Sequence, residues 1–561
     1  MTDLTTPPLE LEADAIVDRL TRGETAWART SLFQRRALLE EFRTLVDDNA
    51  DEWVRIAAEI KQIPAGSPLL GEEWVSGPWA VLAYVEALIG TLQRLEQGVD
   101  VLKGFKARSV MGGRLGIDVL PHSTYDRLLL TGYSAQVWMK PGLTADDVRR
   151  SAGLGQRQPH ETNGVCLVLG AGNITSIAPL DVLYVLFADN RVAALKLNPV
   201  ADRLEPVFRR IFEPFTSLGA VEVLTGGVAL GSALAYHDGI AAVHMTGSEN
   251  THDAIVWGPG EQGAANKAAG TPLLDKPMSS ELGGVSPVIV VPGQWSHSDL
   301  RHQARHIATL RLHNTGSNCV AAQVVVVSSD WDQKDAFLGE LRAALAEAPA
   351  RPSWYPGCST RVAGARSAHP QAEAVGGTAD RTLITGLCFG DPHETAFHEE
   401  YFGPVLGVAE LPGMAAEFLC SAVTAANQEL RGTLGANIVI HPRTRRHLGK
   451  TFEEQVERLR YGTIGINVWT ALGYLTPHAT WGAFPGHSLD DIQSGHGVVH
   501  NALLLDGAER TVVSGPFRPL VKPPWFVQNR TADRTGRLLA SFAARPRWSA
   551  LPGIFASALR G

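Results

Sequence analysis

Residues 165–197 read VCLVLGAGNITSIAPLDVLYVLFADNRVAALKL. VCLVLG is an apolar run closed by glycine, the pattern of a strand buried on both faces. SIAPLDVLYVLFADN has helical character, with Pro179 near its start and Asn190 at its stop. RVAALKL is a second apolar strand. The signature returns at VEVLTGG (221–227), IAAVHMTGS (240–248) and VSPVIVV (285–291), each ending in or followed by glycine, serine or proline. Short apolar strands alternating with helices define a parallel α/β sheet covered on both faces. Ligands of such sheets gather at the carboxyl ends of the strands, where these turns lie.

Outward from this unit, a second α/β section runs from about Gly284 to Gly486, with strands expected at QVVVV, GPVLGVAEL, GANIVI and GTIGINV. Before it, residues 9–62 place Leu38, Leu39, Phe42 and Leu45 on one helical face, as in an N-terminal helical layer. Beyond Gly497, VVHNALLLDGAERTVVSG reads as one or two strands, and the last residues, including VKPPWF, are expected to wrap over the surface.

Composition narrows the class. The chain has 561 residues, 45% hydrophobic and 19% charged, with a formal net charge of −8. That length holds several domains, and that charge argues against a nucleic-acid surface. The acidic start, MTDLTTPPLELEADAIV, has no apolar core like that of a secretory signal. No apolar run approaches the ~18 residues of a membrane helix. The five cysteines are odd in number and scattered without a CxxC pair, so neither a zinc site nor a disulfide framework is expected. A reducing cytoplasm is the expected setting.

Several residues admit both a chemical and a bland reading. GAGNIT (170–175) has the first two glycines of GxGxxG but Thr175 in place of the third, so a phosphate turn and an ordinary strand-end turn are both open. Asn173 could donate to an oxyanion. Lys196 ends a strand, where it either snorkels or meets a ribose or phosphate. Glu281, in SSELGGVSP, is either a solvated loop charge or a base held in a cleft. Cys319, in HNTGSNCVAA (313–322), either begins a buried strand or is a nucleophile whose turn would favour a thiolate through backbone N–H groups.

Order and spacing tie these residues together. Asn173, Lys196 23 residues later, TGS, ELGG, NxGxxC with its cysteine 38 residues beyond Glu281, EExFGPVL, GTIGIN and SGHG together resemble the aldehyde dehydrogenase superfamily. The resemblance covers roughly residues 20–500. It implies an aldehyde-dehydrogenase-like α/β fold with two parallel-sheet domains and an extended oligomerisation arm. The implied divisions are a helical layer joined to the cofactor-binding domain (1–120), the arm (121–162), a dinucleotide-binding domain (163–283), a catalytic domain (284–490), an arm strand pairing between subunits (491–515) and a surface tail (516–561).

By the same resemblance, Cys319 attacks an aldehyde, and Asn173 with the Cys319 N–H holds the oxyanion. Hydride passes to NAD or NADP, and Glu281 activates water against the thioester. Lys196 meets the adenosine ribose, Gly247 and Ser248 the pyrophosphate, and Glu400 the nicotinamide ribose with Phe402 beside it. The implied partners are a small aldehyde and further copies of the chain, as a homodimer or homotetramer, with no nucleic acid, membrane or metal.

Departures qualify this. Ala171-Gly172 replaces a bulky wall beside Asn173, which implies a roomier pocket. Pro199 stands where the ribose carboxylate of NAD enzymes is expected, which makes NADP plausible. His252 replaces a glycine, and a GPGEQGAANKAAG insertion follows. Thr480-Trp481-Gly482-Ala483 replaces the late Pro-Phe-Gly-Gly turn. Two other readings stay open: an acylating, coenzyme A-dependent enzyme, which Glu281 disfavours, and a catalytically retired oligomeric scaffold.

Overall fold

The computed structural model describes residues 9–376 and 380–561. Its strands are β1 (Lys106–Val110), β2 (Arg114–Leu120), β3 (Ser134–Met139), β4 (Val165–Leu169), β5 (Val192–Lys196), β6 (Val221–Leu224), β7 (Ile240–Gly247), β8 (Met278–Leu282), β9 (Ser286–Val290), β10 (Ala322–Ser328), β11 (Glu373–Ala374), β12 (Thr382–Leu387), β13 (Val405–Leu411), β14 (Gly435–Val439), β15 (Thr463–Ile466), β16 (Gly495–His496) and β17 (Ala508–Ser514). They form two sheets, ordered β16-β8-β7-β4-β5-β6 and β1-β2-β3-β17-β15-β14-β9-β10-β13-β12-β11.

The smaller sheet is parallel from β8 to β6, as its apolar strands require. The helix Ile177–Phe187 covers one face. The N-terminal layer is built on the helix Leu32–Ile60, whose Ser31 and Gln34 form a capping box. Its Leu39, Phe42, Val46 and Trp53 join one core with the strands of this sheet. In the larger sheet the run β17-β15-β14-β9-β10-β13-β12 is parallel, and antiparallel strands lie at both ends. The chain is therefore α/β with two sheets joined at the Glu281–Val290 stretch, where β8 belongs to one and β9 to the other.

The arm differs from the expected boundaries. Its strands begin at Lys106 rather than 121, and its late strand is confined to Ala508–Ser514. β17 lies antiparallel to β3 and parallel to β15 of the same chain, so the arm extends its own catalytic sheet.

Among the described residues, one helical stretch is long and apolar enough to cross a membrane, contrary to the reading of the sequence: Leu70–Glu96, with mean hydropathy 1.4. Gly77 breaks its regular geometry just before Pro78, and 78% of its most apolar window is buried inside the fold. The tail also does more than cover the surface. Its helix Ala532–Ala544 crosses Leu70–Trp74 at two glycines, and a Cβ on Gly536 would lie 2.7 Å from Trp74 Cβ. Phe517 and Val527 enter the core of the larger sheet.

Candidate active site

The helix His297–Leu312 ends in a tight turn at His313–Gly316, where Asn314, Thr315 and Gly316 have φ of 51°, 55° and 76°. A Cβ on Gly316 would lie 2.4 Å from the Gly403 carbonyl oxygen, so only glycine fits. Asn314 holds the turn: its amide donates to the carbonyls of Asn173 (3.1 Å) and Ser317 (3.0 Å), and its oxygen accepts from Trp354 Nε1 (3.2 Å). The Asn314 backbone N–H donates to Glu72 Oε2 at 3.0 Å, and Arg351 pairs with the same carboxylate at 2.6 Å. Cys319 emerges from this scaffold partly exposed, just before β10.

Glu281 comes from β8 and is 3% exposed. Its Oε1 accepts from Trp481 Nε1 at 3.0 Å, and the Cys319 thiol lies beside the carboxylate. Burial pushes Glu281 up to about 7, against the opposing effects of Trp481 and Cys319. Burial and then Glu281 push the Cys319 thiol well above its usual range, and its own backbone N–H opposes them weakly. The expected thiolate-favouring turn is thus outweighed: the resting group is a thiol beside a carboxylate.

Glu400 lies near both. Burial raises it to about 8, against the Arg311 cation and the Gly284 N–H. One of its oxygens has no hydrogen-bond partner, and a Cβ on Gly283 would fall 2.2 Å from the carboxylate. Arg311 is itself buried, donating to the carbonyls of Ala322 (3.0 Å) and Gly316 (2.9 Å). Phe402 has φ of 41° and meets the Tyr355 ring at 5.0 Å. Asn173 sits on the facing loop, with its amide donating to the Ser317 carbonyl at 3.0 Å.

The remaining candidates lie at the carboxyl ends of the smaller sheet. Lys196 closes β5, and burial lowers it against the pull of Asp202. Gly247 closes β7, and Ser248 caps the helix Glu249–Val256 by accepting from Thr251 N at 3.3 Å. His252 is buried beside Asp253, and the inserted segment forms the helix Gly260–Ala269, whose Lys267 pairs with Asp253 at 2.6 Å. Sequence reading finds no ribose carboxylate here. The turn Pro199–Leu204 returns Asp202 to the neighbourhood of Lys196 with one oxygen unpartnered.

The structure therefore gathers Cys319, Glu281 and Glu400, sets Asn173 against the Cys319 turn, and leaves Lys196, Gly247 and Ser248 along one sheet edge. A nicotinamide dinucleotide fits this arrangement: a buried cation with a part-exposed carboxylate near it at one strand end, a helix N-terminus at the next, and an orphaned buried carboxylate oxygen at Glu400. The sequence holds no signal for Arg311 or for the approach of Asp202 to Lys196; Asn314 appears in it only as the first residue of NxGxxC, and Trp481 only as a departure in the late turn.

The sequence model of the aldehyde dehydrogenase family matches residues 164–376, which include Glu281 and Cys319. The chain is 29% identical over 174 residues to an N-succinylglutamate 5-semialdehyde dehydrogenase of Novosphingobium aromaticivorans, covering 30% of this chain and 33% of that relative. It is 23% identical over 416 residues to a protein of the same description from Chromobacterium violaceum, covering 71% of each. The matched part thus spans a third of the first relative's length. Among solved structures, gamma-glutamyl-gamma-aminobutyraldehyde dehydrogenase of Burkholderia cenocepacia J2315 shares the fold, with a TM-score of 0.59, 20% identity, and coverage of 90% of this chain and 88% of that one. Residues 164–376 are thus similar to the aldehyde dehydrogenase family, and the chain has the fold of solved aldehyde dehydrogenases.

Proposed function

We propose that the chain oxidises an aldehyde to a carboxylic acid with a nicotinamide dinucleotide, through a thioester on Cys319. The observation that carries this is the pairing of the Cys319 thiol with the buried Glu281 carboxylate. Glu281 takes the thiol proton as sulfur attacks the aldehyde carbonyl, giving a thiohemiacetal. The Cys319 N–H and the Asn173 amide stabilise its oxyanion; Asn173 must turn one N–H from the Ser317 carbonyl or use its second. A bound nicotinamide supplies the two-electron acceptor that converts the thiohemiacetal to the thioester. Glu281, once deprotonated, activates water against the thioester and frees the acid.

Lys196 and Asp202 would hold the adenosine ribose, Gly247 and Ser248 the pyrophosphate, and Glu400 the second ribose beside Phe402. Asp202 supports NAD over NADP, because a carboxylate there repels a 2′-phosphate. The domain divisions stand in this reading with the arm redrawn to its observed strands. The exposed β1 leaves one edge of the arm free for pairing in a homodimer or homotetramer. A cytoplasmic setting belongs to the same reading. Glu281 disfavours transfer to coenzyme A, which needs no water-activating base.

The test is Cys319→Ser, assayed with aliphatic and aromatic aldehydes and both cofactors. The expected outcome is loss of at least a thousandfold in turnover with cofactor binding retained by calorimetry. Turnover within tenfold of the parent protein would remove Cys319 as nucleophile.

A further inference from the structure

Behind Glu281 lies a file of polar groups that thioester chemistry does not itself use. In the parallel pairing of β7 with β8, His244 is opposite Ser279 and Thr246 is opposite Glu281. Alternate residues of a strand share a face, so these four side chains project to one side of the sheet. The helix Ile177–Phe187 covers that side and, within an otherwise apolar sequence, places Asp181 among them. Thr246 Oγ1 donates to Asp181 Oδ2 at 3.0 Å. His244 Nε2 lies 3.4 Å from the same oxygen, and His500 Nε2 lies 3.4 Å from the other. His244 Nδ1 is 2.8 Å from Ser279 Oγ. Asp181, His244 and His500 are each no more than 4% exposed. Ser279 lines a cavity of about 420 Å³ that opens to the surface beside Asp189 and Arg191, at the ends of the strands opposite the Cys319 side.

Proton balance gives this file a task, and here the inference rests on the reaction proposed above. Sulfur attack moves the thiol proton onto Glu281. Oxidation of the thiohemiacetal then leaves the thioester, with Glu281 still protonated. Glu281 cannot take a proton from water until it has lost that one. At this moment the acyl group fills the space beside Cys319. When water attacks, Glu281 receives the water proton and returns it to the departing Cys319 thiolate, while the released acid loses its own proton in bulk solvent. One proton per turnover must therefore leave Glu281 while the acyl-enzyme stands. We propose that it leaves through Thr246, Asp181, His244 and Ser279 into the cavity at the opposite ends of the strands.

Thr246–Asp181 and His244–Ser279 are hydrogen bonds, Asp181–His244 is a 3.4 Å ion-pair contact, and Glu281 and Thr246 are register neighbours across β7 and β8. The Thr246 hydroxyl takes the Glu281 proton and passes its own to Asp181. Asp181 protonates His244 at Nε2, and His244 releases from Nδ1 through the Ser279 hydroxyl to water. The groups facing His244 are Asp181 from the covering helix, Asp189 beyond it, Glu281 from β8 and, through Asp181, His500 from the segment before β17. Burial disfavours the His244 imidazolium, and Asp181 more than offsets this, so His244 lies above its usual value.

The test uses p-nitrophenyl acetate, which acylates a nucleophilic thiol without aldehyde or cofactor, on the full chain and on His244→Gln, Asp181→Asn and Ser279→Ala. The burst of p-nitrophenolate reports acylation and counts folded sites. The steady rate and the acetyl-enzyme seen by intact mass report deacylation. The expected result is a normal burst, a steady rate at least tenfold lower in His244→Gln and Asp181→Asn with acetyl-enzyme accumulating, and recovery of His244→Gln by imidazole. Steady rates equal to the parent's overturn the exit path. So does a joint loss of burst and steady rate in all three variants without an imidazole response, which assigns the cluster to structure. Glu281→Gln separates the two levels. If it accumulates acetyl-enzyme while the three variants do not, only the exit path fails; if it deacylates normally, the reaction reading fails and takes the exit path with it.

Discussion

At the scale of single residues, the site is a set of buried groups whose charges are balanced by a few hydrogen bonds. Glu281 is a base only above its raised value of about 7, so the rate should fall as pH drops through that region. The Trp481 N–H bond to its carboxylate favours the charged form. Trp481→Phe removes a bond to a charged acceptor, worth about 1.5–3 kcal/mol. The acid limb of the pH–rate profile should therefore move up by about one unit or more, costing most of the activity at neutral pH and little at pH 9. An unmoved limb would mean that the indole packs without tuning the base. Cys319 and Glu281 were legible in the sequence because their spacing is distinctive. Trp481 was legible only as a deviation, since contact across 200 positions leaves no local periodicity to read.

At the scale of elements, the strands ending in glycine and serine were read correctly from apolar runs, because a strand buried on both faces admits little else. The short turn after β5 was not. Pro199 stands where a carboxylate is expected, and in the structure the turn Pro199–Leu204 brings Asp202 near Lys196. A one-turn displacement of this kind depends on backbone path, which composition does not encode. Asp202→Asn should raise the preference for NADP over NAD at least tenfold in calorimetric Kd ratio, because the repulsion on a 2′-phosphate is removed. An unchanged ratio would place Asp202 outside the ribose site. The Cys319 turn makes a similar point: three successive left-handed residues are held by Asn314 and Glu72, the latter from a distant helix.

At the scale of the whole molecule, the two sheets, the arm and the tail are tied within one chain. Within the chain β17 pairs with β15 of its own catalytic sheet, and the resemblance implies that the arm also pairs between subunits. Pattern identifies strands but not which copy they meet. The tail was expected only to wrap over the surface, yet its helix crosses Leu70–Trp74 through Gly71 and Gly536. Gly536→Leu should cost about 1–3 kcal/mol by overpacking against Trp74, lowering the thermal midpoint and exposing 516–561 to limited proteolysis. Unchanged midpoint and digestion would show that the tail does not dock by this contact. The account as a whole rests on a covalent intermediate, and trapping it tests that most directly. Glu281→Gln should be incubated with aliphatic and aromatic aldehydes and with NAD and NADP, then digested and mapped by mass spectrometry. The expected product is an acyl adduct on Cys319 with one equivalent of reduced cofactor, formed more slowly than in the parent because the base that takes the thiol proton is gone, and not hydrolysed. Reduced cofactor produced in steady turnover with an unmodified Cys319, or an adduct on another cysteine, would contradict it.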